Sequence, residues 1–238
     1  MTKQQRNGFV LVLLVLGLLG LFVVFSSRQA PVVAQQSLVV RYSTAEGVTR
    51  EVELTKVAGD AFDGARFVLG SSAAQNTIVE FADYQCPACA LFAANTERQL
   101  EREFVQSGKV RYAFRDFPLP QHQNAMMAAQ AVSCAHEAAG DYRALKSALF
   151  RNQSVWSNSL ESAVKKQFAD LAAAAGVKQV GFERCLESGN ARMSIEADFQ
   201  LGRELGVTST PSFVVNGYRF AGALPIEAFR AILAKVGK

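Results

Sequence analysis

The chain of 238 residues is half apolar, carries 25 lysines and arginines against 21 acids, and has four cysteines. That is enough chain for one substantial core with appendages, and the composition excludes disordered and fibrous classes. Of the net charge of +4, three cations (Lys3, Arg6 and Arg28) flank the first apolar run, leaving 22 basic against 21 acidic side chains elsewhere. So balanced a remainder offers no concentrated basic face, and no nucleic-acid partner is expected.

The first element is hydrophobic. Twenty-one residues without a charge separate Arg6 from Arg28, with apolar side chains from Phe9 to Phe25. At about 1.5 Å per residue a helix of that length reaches the ~30 Å hydrocarbon core of a bilayer. Residues 1–28 are therefore expected to form a single transmembrane helix or signal anchor. A cleaved signal peptide, cut near Val32-Val33-Ala34, is the alternative, although its apolar region is usually only about 7–15 residues. On either reading Lys3 and Arg6 keep the N-terminus cytoplasmic, and the rest of the chain is extracytoplasmic, periplasmic or at the extracellular face.

Residues 29–66 read as a linker and a β-hairpin. Leu38–Tyr42 and Val48–Leu54 are β-rich and flank Ala45-Glu46-Gly47. Ala58 to Asn76 looks like loop, with Gly59, Gly64 and Gly70. Thr77–Ala82 then has the continuous apolar character of a buried strand, interrupted by Glu80. Asp83-Tyr84-Gln85-Cys86-Pro87-Ala88-Cys89 follows directly. The spacing of Phe92, Leu100 and Phe104 predicts a helix stopped by Gly108, and Lys109–Phe117 a further strand.

Helices are expected over Gln123–Ala139, Tyr142–Phe150, Leu160–Ala175, Val180–Leu186 and Asn190–Leu205. This block, about 121–206, is too long for a loop and must be a helical subdomain inserted in an α/β frame. Asn216-Gly217 between two short strands is a two-residue hairpin signal, and Pro225 opens the last helix.

A single Cys-x-x-Cys suits half a zinc site, a structural disulfide or a redox pair. Zinc lacks ligands: there are two histidines, and no second paired motif. The placement favours redox chemistry. A cysteine between a strand and a helix start faces unpaired backbone N–H groups and the positive end of the helix dipole, which stabilise a thiolate. Pro87 fits the first turn, where its missing N–H costs little. Cys89, three residues on, shares the helical side and can attack a mixed disulfide on Cys86. Cys86 is thus expected to be the exposed nucleophile and Cys89 the buried resolving thiol.

Strand, Cys-Pro-x-Cys and helix, followed far downstream by Thr210-Pro211 before a hairpin and final helix, resemble the thioredoxin fold. With its helical insertion the pattern resembles the DsbA branch over residues 67–238. Ile78–Cys89, Phe114–Leu119 and Gly206–Phe213 are similar to that family's segments. The resemblance implies a protein-disulfide oxidoreductase with Pro211 as a cis-proline beside the cysteines. It also implies that Pro87, Ala88 and Thr210 face bound substrate. By the same resemblance, reduced exported proteins would be the substrates and a quinone-linked membrane reoxidase of DsbB or vitamin-K-epoxide-reductase (VKOR) type the partner. The family carries an acid six residues before the first cysteine, where Glu80 stands. On its strand it shares a face with Ile78 and Ala82, and burial without a partner would raise its pKa and suit it to take the proton of Cys89; a satisfied edge-strand carboxylate is the alternative. One departure is Pro87-Ala88 between the cysteines, where strongly oxidising members resemble Cys-Pro-His-Cys. A milder oxidant is expected.

Cys134 and Cys185 both fall on core-facing helical positions. They are either free buried thiols or a pair; an oxidising compartment favours a structural disulfide, with a second redox couple as the further alternative. His122 reads as a capping or surface residue. No nucleotide-binding glycine pattern occurs, so no organic cofactor is expected, nor a metal. The readings that compete with an oxidase are a reductase or isomerase on the same fold, a metallochaperone using Cys86 and Cys89, and a non-catalytic chaperone or adhesion domain.

Overall fold

The computed structural model describes residues 36–238. The expected anchor at 1–28, and the linker up to residue 35, lie outside the described residues. Among those described, no helix is long and apolar enough to cross a membrane.

A seven-stranded sheet organises the fold. Its strands are β1 (Ser37–Ser43), β2 (Thr49–Lys56), β3 (Phe67–Leu69), β4 (Asn76–Ala82), β5 (Val110–Asp116), β6 (Ser212–Val215) and β7 (Tyr218–Ala221), in spatial order β1-β2-β7-β6-β4-β5-β3. β4 pairs parallel with β5 and antiparallel with β6, so it is an interior strand. Both faces of β4 are covered, which is why its sequence is nearly continuous in apolar residues. Ile78, Glu80 and Ala82 face the main core with Phe92, Phe213 and Phe229, while Val79 and Phe81 join a smaller core with Ala61, Phe117 and Leu205. This alternation is the two-residue period of a strand.

Helix α1 (Pro87–Phe92) starts where β4 has turned out of the sheet, and helical chain continues through Ala93–Glu97, Arg98–Leu100 and Glu101–Val105. The first and last of these continuations are π turns. Their presence accounts for the sequence pattern. Apolar residues spaced by four drift around an α-helix of 3.6 residues per turn, and the wider π turns absorb the drift, so that Phe92 and Leu100 are both fully buried.

The insertion comprises α2 (Ala125–Ala139), α3 (Arg143–Arg151), α4 (Gln153–Trp156), α5 (Glu161–Ala174), α6 (Gln179–Ser188) and α7 (Arg192–Glu204); α8 (Ile226–Val236) closes the chain against the sheet. Trp156 is fully buried against Phe168, and its indole N–H donates to the Leu149 carbonyl at 2.9 Å.

Two sequence readings need refinement, and one element went unread. The stretch Ala58–Asn76 is not all loop, because Phe67–Leu69 pairs as an edge strand with β5. Three residues among turn-forming glycines are too few to show a period. The hairpin read within 29–66 joins the sheet of 67–238: Thr55 and Lys56 pair with Arg219 and Tyr218, and the described residues form one compact unit. Finally, the short α4 had no sequence signal, being a single turn.

Candidate active site

Cys86 caps the N-terminus of α1 with extended backbone, and no acid occupies the first turn of that helix. The free N–H groups and helix dipole therefore act on the sulfur without compensation. Its backbone N–H donates to the Asp83 carbonyl at 3.1 Å, which fixes the turn. Both cysteines are free thiols. Cys86 is 6 % exposed and Cys89 0 %. The expected exposed nucleophile is thus mostly covered, because the loop before Pro211 closes over it. What stands open beside it is Pro87, with Ala88 half-buried.

The Thr210–Pro211 peptide is cis, and as a thiol Cys86 donates to the Thr210 carbonyl at 3.2 Å. The Thr210 hydroxyl is buried without a partner, so it is available as a donor once the sulfur ionises. The Cys89 thiol donates to the Cys86 sulfur and is the largest influence on it. Aided by the Thr210 side chain and the N–H groups of Cys89 and Ala88, it brings the Cys86 pKa down to about 6 against partial burial. Cys89 moves the opposite way, well above the ordinary thiol value. Burial is the main cause, followed by its hydrogen bond to Cys86 and the nearby charges of Cys86 and Glu80. Two sulfurs three residues apart are therefore separated into an anion and a strong base.

Glu80 is 1 % exposed on β4. It is neither unpartnered nor on an edge strand: the Tyr112 hydroxyl donates to its Oε2, and the Lys146 ammonium lies 3.8 Å from the same oxygen. Burial still raises its pKa to about 7, with Lys146 the chief opposing influence. Lys146, itself buried, also donates to Glu97 on the π turn after α1.

Other residues shape the loop. Asp83 accepts from the N–H groups of Gln85 and Leu119 at 2.6 and 2.8 Å and meets His122 Nδ1 at 2.7 Å. His122 is therefore tied to the active-site turn rather than serving as a cap. The Gln153 amide donates to the carbonyls of Tyr84 and Cys86 at 2.7 and 3.0 Å, strapping the turn to α4. A disulfide joins Cys134 in α2 to Cys185 in α6. Among the described residues, no three His, Cys, Asp or Glu side chains gather to hold a metal ion.

A family model described as thioredoxin matches residues 63–235. The chain belongs to the thioredoxin family. The chain is 31 % identical over 186 residues, 77 % of its own length, to the Na(+)/H(+) antiporter NhaA of Nitrosospira multiformis, of whose length it spans 28 %. It is 24 % identical over 150 residues to disulfide bond formation protein D of Bacillus subtilis, covering 63 % of this chain and 67 % of that one. Crystalline alpha-DsbA1 of Wolbachia pipientis is similar with a TM-score of 0.65 and 25 % identity, over 74 % of this chain and 92 % of that chain. The fold is thus the mixed α/β thioredoxin-like one with a helical insertion, shared with DsbA-like proteins.

Sequence reasoning missed Lys146, Glu97, Gln153 and Asp83. For Lys146 a signal existed. Tyr142, Leu145, Lys146, Leu149 and Phe150 occupy the spacing of one helical face, so a lysine stands where an apolar residue belongs. Gln153 and Asp83 act through backbone groups distant in sequence, which no local pattern reveals.

Proposed function

We propose that this enzyme is a protein-disulfide oxidoreductase that is tethered to a membrane and forms disulfides in reduced exported proteins on the extracytoplasmic side. The observation that carries the chemistry is the split between Cys86, ionised from about pH 6, and a buried Cys89 that holds its proton. Support for export and tethering comes from the uncharged stretch between Arg6 and Arg28.

In the oxidised enzyme a substrate thiolate attacks Cys86 Sγ. A substrate–Cys86 disulfide forms as the Cys86–Cys89 bond breaks, and Cys89 leaves as a thiolate. Burial makes that thiolate basic enough to take a proton from the Glu80 carboxyl. The second substrate thiolate attacks the first substrate sulfur, giving the product disulfide and the Cys86 thiolate. Two electrons pass to the enzyme; one substrate proton is replaced on Cys89 through Glu80, and the other stays in water. A quinone-linked reoxidase of DsbB or VKOR type would restore the disulfide, and tethering both proteins to one membrane raises their effective concentration. Pro87 and Ala88 offer the thiolate no side-chain donor, which favours a milder oxidant.

Substituting Cys89→Ala in the full-length protein tests this reading. Mixed disulfides through Cys86 should accumulate with exported proteins, as the lone Cys86 thiolate attacks a protein disulfide and expels one of its sulfurs as a thiolate, and the wild-type protein in cells should be mainly disulfide-bonded. A Cys86 that forms no adducts would overturn the enzyme reading, and a wholly reduced cellular pool would favour a reductase.

A further inference from the structure

Glu80 lies beneath the cysteines at 1 % exposure, yet the reaction requires its proton to be replaced from water each turnover. Lys146, 3.8 Å from Glu80 Oε2, lines a groove that is open to solvent. The groove, of about 500 Å³, runs between α1 with its π continuation and α3, floored by Ala90, Ala93, Tyr142 and Phe150. At about 30 Å³ each, that is room for more than ten waters. Lys146 and Glu97 form part of its wall. Lys146 crosses from the insertion to meet both carboxylates, donating to Glu97 and standing 3.8 Å from Glu80 Oε2.

We propose that Lys146 is a positioning residue for proton exchange at Cys89: from the groove wall it holds Glu80 behind it and Glu97 beside it, and the proton passes between Glu80 and the water of the groove past this pair. The inference rests on the exchange reaction proposed above and adds to it a residue from the helical insertion and a route.

Facing Glu80 are Tyr112 from β5, Lys146 from α3 with Tyr142 at its start, Glu97 from the active-site helix, Tyr84 from the active-site turn, and the two cysteines. Further out, the helix contributes Arg98 and Glu101, and the insertion contributes Asp141, Arg143 and Arg151. Asp141 and Arg143 neutralise each other at 2.9 Å. Lys146 is the cation in direct reach of Glu80, and it favours the carboxylate; Glu97 and Cys86 disfavour it. The π turn Ala93–Glu97 matters here, since a wider turn re-aims a side chain relative to regular helix and such turns are frequent at functional sites. It brings Glu97 to the lysine while Phe92 stays in the core.

The test follows the reduced full-length protein mixed with an aromatic disulfide that releases a coloured thiolate. The first release reports attack by Cys86; the second reports Cys89 resolving the mixed disulfide. Lys146→Met should move the pH inflection of the second phase upward by at least about one unit, because an opposite charge within reach lowers a carboxyl pKa by about 1–3 units. The first phase should keep its inflection near 6. Lys146→Arg should restore most of the shift, and Lys146→Met should add no shift in a Glu80→Gln background. A second phase that does not move, phases that move together, or a shift that persists without Glu80 would overturn the proposal. Should Lys146→Met fail to fold, Glu97→Gln decides: removing a charge that disfavours the carboxylate should move the second inflection downward, and an unmoved one refutes the route. A wild-type protein lacking either phase would instead sink the exchange reading itself.

Discussion

Replacing both Cys134 and Cys185 with alanine probes how the insertion is held against the active-site turn. The disulfide spans 51 residues of chain. Closing a loop of that length in the unfolded state is worth about 4 kcal/mol in the chain-entropy account. For a domain of this size each kcal/mol shifts the melting temperature by about 2–4 °C, so the loss should be about 8–16 °C. The bridged stretch contains α3, α4 and α5, and with them Lys146 and Gln153, but none of the hydrogen bonds to Tyr84, Cys86 or Glu97 involves either cysteine. Stability and chemistry should therefore separate. Thermal melts of the full-length variant, followed by circular dichroism, should show the drop, while the rate of the Cys86 reaction at low temperature should match wild type. A melting change under about 2 °C would refute the loop argument. A lost Cys86 reaction in a folded variant would instead make the pair a second redox couple.

Two further outcomes are expected. The folded value of about 6 for Cys86 lies below the usual thiol value of 9.0, so its contribution to the reduced form is fully present above that usual value and is lost as pH falls through 6. The melting temperature of the reduced protein relative to the oxidised one should thus rise from pH 5 to pH 9, and a flat difference would contradict a depressed thiol pKa. Asp198→Ala strands Arg115, which is 3 % exposed, and removes one of the two carboxylates on Arg66. Urea denaturation should show a loss of about 3–5 kcal/mol with an unchanged slope, since the uncompensated charge stays buried; a loss near zero would mean that the guanidinium finds water.

Much of this protein is legible in one dimension because its signals are local. The two-residue period of β4, the turn and proline around Cys86, and the apolar faces of the long helices each come from neighbours within a few residues. Glu80 was singled out correctly as buried, since strand alternation places it beside Ile78 and Ala82, but its pairing was misjudged because Lys146 lies 66 residues downstream on a helix. Cys86 was expected to stand open because the helix start alone leaves it so. The segment that covers it ends at Pro211, and no property of the residues next to Cys86 encodes that approach.

The sequence by itself determined which sulfur could be activated, since a helix start beside a strand supplies its N–H groups and dipole from adjacent residues. It also determined the export-like character of the N-terminal stretch as an expectation. Only the tertiary structure decided how strongly the two cysteines differ, because desolvation and Coulomb interactions depend on distances through space. Thr210, Tyr112, Glu97 and Lys146 reach the site from four separate parts of the chain, and their placement follows from packing rather than from spacing.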